Sequence, residues 1–318
     1  MVENELILVD ERLREIIETA GSELRLVGRY IINNSGKKIR PALFLTAAYR
    51  SGKNLKTFID IAVALELLHT ASLLHDDVID QASVRRGKET VHIKWSNKIA
   101  VLCGDYVLSQ VYKILVEQRD WPLMDVIVNI VQNLAEGEVE QAFADYSSPG
   151  LEENYFEWIG KKSASFFAGC CEAGSLVAGD DLEEQKLWSQ YGYNLGVAFQ
   201  VIDDLLDYSG DKKITGKPLY GDLSNRVITL PLIRTIQTAD QLTVELLTNF
   251  LKHEDENGDR LNEAVKAVLA GDGLEFTYKK AEEYAQKSIE IIYKMKSVSP
   301  EKTESLKSLT NSLLSRIK

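Results

Sequence analysis

The chain has 318 residues, 45% of them hydrophobic and 27% charged, with a formal net charge of −11, the make-up of a globular protein with a large buried core. That acidity argues against a nucleic-acid binder or a protein that docks on acidic lipid, because both need a net basic face; cations serving an anionic ligand must be gathered locally. The three cysteines, Cys103, Cys170 and Cys171, include an adjacent pair poorly placed for a disulfide and no CxxC spacing, which fits a reducing cytoplasm and offers no zinc site.

Apolar residues recur at three- and four-residue spacing along almost the whole chain, so the fold class is all-α. The first helix is expected near 3–20. It is acidic and amphipathic, unlike the basic-then-apolar pattern of a signal peptide. Helices near 22–33 and 39–51 flank Gly36-Lys37-Lys38-Ile39-Arg40-Pro41. A long helix at 55–82 follows; its most apolar part, Ile59 to Leu74, contains Asp60, Glu66 and His69 and falls short of a bilayer-spanning run. After a turn at Arg85-Arg86-Gly87-Lys88, helices are expected near 92–118, 122–146, 151–178 and 181–208. A glycine- and cation-containing loop, Gly210 to Leu223, leads to helices near 227–237, 240–253, 258–270, 273–295 and 299–317. The prolines are spread out, mostly at helix starts or connections, and no Gly, Ser or Pro-rich linker interrupts the chain, so residues 1–318 read as one domain that does not span a membrane.

One pattern occurs twice. Asp76-Asp77-Val78-Ile79-Asp80 and Asp203-Asp204-Leu205-Leu206-Asp207 each interrupt a long apolar helical stretch. On a helix the first and fifth residues lie one turn apart on one face, so their carboxylates converge. A single copy reads best as a solvated helix face; the second copy reverses that, because clustered carboxylates beside a packed core repel one another unless a cation screens them. All-oxygen ligands favour Mg²⁺ over zinc. Cations accompany both copies: Lys37, Arg40, Arg85 and Arg86 near the first, Lys161, Lys162 and Lys217 near the second, with Gln200 almost a turn before Asp203. Arginine forks and lysine point charges suit phosphate oxygens, and Mg²⁺ bridges carboxylate to phosphate, so the ligand inferred from residue type is a magnesium diphosphate.

These residues resemble the trans-isoprenyl diphosphate synthases over nearly the whole chain. Gly36 to Pro41 is similar to that family's GKxxRP, His69 lies in its ELxHTASLxHDD segment, and Asp76 to Gly87 reads DDxxDxxxxRRG. Lys162-Ser163 stands at its Lys-Thr and Gly196 to Asp207 at GxxFQxxDDxxD. The resemblance implies an isoprenoid-synthase helical bundle with a central cavity between two Asp-rich helices. It implies condensation of isopentenyl diphosphate with an allylic prenyl diphosphate. Lys37, Arg40, His69 and Arg86 would hold the isopentenyl diphosphate. Arg85, Lys162, Ser163, Gln200 and Lys217 would hold the allylic diphosphate. Asp76, Asp80 and Asp203 would be the chief Mg²⁺ ligands, with Asp77, Asp204 and Asp207 completing or supporting the metal sites, three ions being expected with substrate bound. It also implies a homodimer, with a heteromer as the other arrangement.

The chain departs from the family pattern at Ser163, which keeps a hydroxyl where threonine is usual, at Glu89 in place of the proline of RRGxP, and around Asp222 to Thr229, where the usual glycine-lysine pair is missing and Arg226 is the candidate replacement. Product length should be set one turn before the first motif, at Ala71 and Ser72; their small side chains imply an open tunnel and an all-trans product longer than farnesyl, from geranylgeranyl to octaprenyl. The competing readings are a class I terpene cyclase, a subunit of a heteromeric synthase, a metal phosphohydrolase using His75 beside Asp76, and a purely structural helical bundle. The second aspartate triad and the Arg-Arg turn favour chain elongation over cyclisation, and retention of both triads argues against lost catalysis, with a partner subunit left open.

Overall fold

A computed structural model describes residues 2–33, 36–49, 55–147, 150–209, 219–252 and 259–316. In chain order the helices are α1 (Glu3–Glu18), α2 (Ser22–Ile32), α3 (Ile39–Ala48), α4 (Leu55–Ile79), α5 (Val91–Lys94), α6 (Asn97–Gln118), α7 (Trp121–Ala142) and α8 (Leu151–Ile159). A π-helical turn, Gly160–Ala164, leads to α9 (Ser165–Ala178) and α10 (Leu182–Ser209). Then come α11 (Gly221–Ser224), α12 (Leu230–Thr238), α13 (Gln241–Lys252), α14 (Asp259–Ala270), α15 (Gly273–Ile292) and α16 (Pro300–Leu314). The strands among the described residues are β1 (Val84–Arg85) and β2 (Lys88–Glu89).

The chain divides into two compact units. Unit 1 comprises residues 1–129 and 167–189, unit 2 residues 130–166 and 190–318. The borders fall inside α7, α9 and α10 rather than in linkers, which is why the sequence shows no domain boundary.

Unit 1 is organised round α4. Its residues from Ile61 to Leu68 are buried without a break, so it lacks the polar stripe of a surface helix and behaves as a core helix. α4 and α6 both have the length and apolarity that a membrane crossing needs, yet 72% of the α4 window is buried within the protein, which accounts for its composition. Close approach of α9 to α3 depends on Gly174, where a Cβ would stand 2.5 Å from the Phe44 carbonyl oxygen and 2.7 Å from the Ala47 Cβ.

Unit 2 has two apolar clusters. One gathers Tyr155, Trp158, Val201, Ile202 and Leu230; the other gathers Tyr208, Leu232, Leu247, Phe250 and Val268. Proline occupies the first turns of α12 and α16, where a missing N–H costs nothing.

Three local features differ from the sequence expectation. The helix expected over 92–118 is two helices, because Ser96 is extended and its hydroxyl accepts from the Ile99 N–H at 3.2 Å, capping α6. The helix expected over 151–178 contains the π turn. Within the expected 210–223 loop, residues 221–224 form the short helix α11, while residues 210–218 lie outside the described residues.

Replacing Gly174 with valine forces a side chain against the α3 backbone, and the expected loss is about 1–3 kcal/mol of unfolding free energy. Urea denaturation of Gly174→Val beside the parent chain measures it.

Candidate active site

The first aspartate motif closes α4 in unit 1. The Asp80 N–H donates to the Asp76 carbonyl at 2.8 Å, so the two outer aspartates stand one helical turn apart as their spacing requires. Asp77, one residue on, is turned about 100° from Asp76 and into the protein. It is 5% exposed, and its Oδ1 accepts from the Arg85 Nε at 2.5 Å. Burial pushes the Asp77 carboxyl above its ordinary value, and the Arg85 charge and hydrogen bond pull it back.

Arg85 reaches Asp77 because the chain turns back just after α4. Val84 pairs with Glu89 and Arg85 with Lys88, leaving Arg86 and Gly87 as the two central residues of a hairpin turn. Both have positive φ, +52° and +77°, the signature of a type I′ turn. Glycine adopts this freely; arginine does so at a cost of roughly 1–2 kcal/mol, the kind of strain that concentrates at working sites. Lys38, before α3, is likewise left-handed at φ +49°, and its Nζ is 2.8 Å from Asp10.

The remaining cations of unit 1 lie close to the hairpin. The Arg86 guanidinium occupies the space that a side chain at Gly36 would fill. Arg40 is held with its Nη1 3.2 Å from the His69 Nε2 and its guanidinium 5.1 Å above the Phe167 ring. Lys37 is exposed. Burial, reinforced by Arg40, Arg86 and Arg85, pushes His69 well below 6.5, so its ring is neutral and its Nε2 accepts from Arg40.

A cavity of about 100 Å³ opens on this cluster within unit 1. Its lining includes Glu66, His69, Arg85 and Arg86 together with Leu13, Ile17 and other apolar residues. On α4 it is lined by Glu66, Leu67, His69, Thr70, Leu73, Leu74 and Asp77, one broad face of the helix. Ala71 and Ser72, the expected length-determining pair, lie off that face: Ala71 is 2% exposed, and the Ser72 hydroxyl donates to the His69 carbonyl at 2.9 Å.

The second motif lies on α10 in unit 2 and repeats the burial of the middle aspartate. Asp204 is buried, with Oδ2 accepting from the Tyr155 hydroxyl at 2.7 Å and Oδ1 from the Gln200 side chain at 2.8 Å. The Ser163 hydroxyl donates to Gln200 at 2.7 Å, completing a chain from the π turn through α10 to α8. Burial raises the Asp204 carboxyl well above the carboxylate range, and the Tyr155 and Gln200 bonds oppose that rise. Asp207 accepts from the backbone N–H groups of Gly221 and Asp222 at 2.9 and 3.1 Å, anchoring the start of α11. Asp203 is the outward member, its side chain 40% exposed and 3.6 Å from the Arg316 guanidinium.

Lys162 and Ser163 sit in the π turn, a widening common at functional sites. Gly137 on α7 permits it, since a Cβ there would be 2.7 Å from the Lys162 backbone nitrogen. The Lys162 ammonium meets Gln141 at 2.9 Å and Glu138 at 2.5 Å. Arg226 is left-handed, with its Nε 3.3 Å from the Phe250 carbonyl and its guanidinium over the Phe250 ring. Lys217 lies outside the described residues.

Asp77, Asp204 and Asp207 are therefore engaged with protein donors, which fits a supporting part for them. Asp76, Asp80 and Asp203 have the hard oxygen donors and the exposure that Mg²⁺ requires. Among the described residues no group of three His, Cys, Asp or Glu side chains is arranged to hold a metal unaided. Mg²⁺ seldom needs one, since one or two carboxylates, water and substrate phosphates complete its octahedron. Motif spacing gave no sign of Tyr155, Glu138 and Gln141; a buried tyrosine needing a partner for its hydroxyl was the signal available for the first.

Lowering the pH tests the His69 environment. Its folded-state pKa lies well below the ordinary 6.5, so the unfolded chain takes up a proton that the fold refuses. Stability from this group is complete above about pH 6.5 and is lost as the pH falls below it, by up to about 1.4 kcal/mol per pH unit. His69→Gln keeps an acceptor for Arg40 and removes this component. Urea unfolding at pH 7.5 and 5.5 is expected to show a smaller loss in the variant than in the parent.

Residues 22–268 match the family model described as Polyprenyl synthetase. The chain is 36% identical over 278 residues to the octaprenyl diphosphate synthase of Escherichia coli (strain K12), covering 86% of this chain and 85% of that protein. It is 30% identical over 287 residues to heptaprenyl diphosphate synthase component 2 of Bacillus subtilis (strain 168), covering 89% and 81%. Among solved structures, a polyprenyl synthase from Caulobacter crescentus CB15 complexed with calcium and isoprenyl diphosphate superposes with a TM-score of 0.92 at 29% identity, covering 100% of this chain and 96% of that one.

Proposed function

The chain belongs to the polyprenyl synthetase family and is a trans-polyprenyl diphosphate synthase, and from that premise we propose that it condenses isopentenyl diphosphate with an allylic prenyl diphosphate, with Mg²⁺, to give an all-trans product longer than farnesyl. The observation that carries this reading is the turn of helix presenting Asp76 and Asp80 directly before the strained hairpin that presents Arg85 and Arg86. Carboxylates alone would repel a diphosphate. Carboxylates beside arginines suit a diphosphate that arrives with a hard cation, and the Caulobacter relative was solved with calcium and isoprenyl diphosphate.

Asp76, Asp80 and Asp203 would hold Mg²⁺, which when bound neutralises the allylic diphosphate and makes it a better leaving group. Arg85, Lys162, Ser163, Gln200 and Lys217 bind that diphosphate and stabilise the charge that grows on it as the allylic carbon–oxygen bond breaks. Lys37, Arg40, His69 and Arg86 hold isopentenyl diphosphate with its double bond toward the allylic cation. The double bond attacks, a proton passes from the new cation to the released diphosphate, and the product is one five-carbon unit longer. No side-chain nucleophile is required.

Chain length beyond farnesyl is supported by the octaprenyl and heptaprenyl products named for the Escherichia and Bacillus relatives, and the small side chains of Ala71 and Ser72 agree with it although neither lines the unit 1 cavity. A homodimer is supported by exposed apolar side chains on α6 and the start of α7, including Leu102, Val116 and Trp121, the last 78% exposed. Cytoplasmic localisation rests on the cysteine usage and on the burial of the most apolar helix. The Bacillus relative's name, component 2, favours a second reading in which this chain is the catalytic subunit of a heteromeric synthase.

Incubating the purified chain with Mg²⁺, labelled isopentenyl diphosphate and farnesyl or geranylgeranyl diphosphate, then sizing the products, tests the proposal. Elongation beyond the starter that disappears with chelator is expected, and Ala71→Phe should shorten the ladder. No elongation by the isolated chain supports the heteromeric reading, and a cyclised, diphosphate-free product contradicts both.

A further inference from the structure

The hairpin that carries Arg85 and Arg86 has two residues in each strand, too few to keep its shape in water without support from other elements. Its tip is strained as well, since Arg86 takes positive φ. Two side-chain bonds fasten it, one to each strand. On β1 the Arg85 Nε donates to Asp77 of α4, and on β2 the Glu89 carbonyl accepts from the Tyr30 hydroxyl of α2 at 2.8 Å. The register leaves that carbonyl open to Tyr30. Opposed residues of an antiparallel pair alternate between bonded and non-bonded, and the Thr90 N–H donates to the Ser83 carbonyl at 3.1 Å. The neighbouring pair, Val84 and Glu89, is therefore non-bonded, and the Glu89 carbonyl faces away from β1. Glu89 is also where the chain departs from the family pattern. A proline there would stiffen β2 by itself, whereas glutamate leaves the task to an outside contact.

We propose that Tyr30 is a positioning residue for Arg86, holding β2 through the Glu89 carbonyl so that the strained tip of the hairpin keeps its guanidinium at the isopentenyl diphosphate site. Tyr30 is itself well held. Its ring meets Trp95 edge-on with centroids 5.3 Å apart, the Lys94 ammonium stands 4.0 Å above its centre, and it packs against the cluster of Val27, Leu74 and Val91. It also lines the same cavity as Arg86 and Glu89. With β1 tied to α4 and β2 tied to α2, the turn between the strands cannot swing, and the Arg86 guanidinium stays in the space beside Gly36. Tyr30 touches no reacting atom and acts through the hairpin. Arg85 has its own anchor in Asp77, so the allylic diphosphate is not expected to respond.

This inference rests on the assignment of isopentenyl diphosphate to Lys37, Arg40, His69 and Arg86, so the experiment tests that assignment separately. Steady-state kinetics with each substrate varied in turn are measured for Tyr30→Phe, Arg86→Ala and the double variant beside the parent. Tyr30→Phe removes the hydroxyl and keeps the ring, and with it the contacts to Trp95 and Lys94 that the fold uses. It should raise the KM for isopentenyl diphosphate about three- to tenfold and leave the allylic KM within about twofold. In the Arg86→Ala background the same change should add less than about twofold, because a residue that acts through Arg86 then has nothing to position. If Arg86→Ala raises the isopentenyl diphosphate KM and Tyr30→Phe does not, Tyr30 has no positioning role. An equal cost of Tyr30→Phe in both backgrounds, or equal changes in both KM values, overturns the proposal as well, since either is the pattern of a general loosening. If Arg86→Ala leaves the isopentenyl diphosphate KM unchanged, the substrate assignment falls, and the role proposed for Tyr30 falls with it.

Discussion

A carboxylate buried beside a helical core must be met by a donor, and both aspartate motifs meet that demand at the same position. Asp77 and Asp204, the second residue of each copy, are each 5% exposed. Arg85 answers the first, and Tyr155 with Gln200 answers the second. Helical geometry does the rest, because a residue turned inward places its neighbour one position earlier toward the surface. Fixing Asp77 thereby aims Asp76 and Asp80, and fixing Asp204 aims Asp203. The inner aspartate is best understood as the anchor of a metal-binding face.

The cations are placed by backbone shape more than by helix periodicity. Arg86 and Lys38 sit in left-handed conformations that favour glycine, and Lys162 and Ser163 in a π turn. Each departure has a local cost and is held by its neighbours: cross-strand pairing for Arg86, the Asp10 ion pair for Lys38, and the close packing at Gly137 for the π turn. Strain of this sort persists where the surroundings over-determine it. Rigid cations suit a diphosphate, whose charge is large and whose position must be fixed relative to the bond that breaks.

The helices were legible because apolar spacing reports burial directly, as at Ile61, Leu65 and Leu68, all buried on α4. The i, i+4 relation of Asp76 and Asp80 followed from the same periodicity. Features that depend on dihedral angles or on a single cap were not legible. Ser96 looked like one more residue of a helix, the Arg86-Gly87 turn gave no warning that arginine would take positive φ, and nothing in Gly160 to Ala164 marked a π turn. Tyr155 was hidden for another reason. Its bond to Asp204 joins residues 49 apart in the chain, and no local pattern encodes such a contact.

The central claim is that Asp76, Asp80 and Asp203 bind metal while the buried middle aspartates, Asp77 and Asp204, hold the helices. It is tested most directly by calorimetric titration of inorganic diphosphate with Mg²⁺ into four single variants, Asp76→Asn, Asp77→Asn, Asp203→Asn and Asp204→Asn. Mg²⁺-dependent affinity should fall by about tenfold or more in the Asp76 and Asp203 variants, a loss of roughly 1.4 kcal/mol or greater, and stay within a few-fold of the parent in the other two. Equal losses in the inner pair would contradict the account.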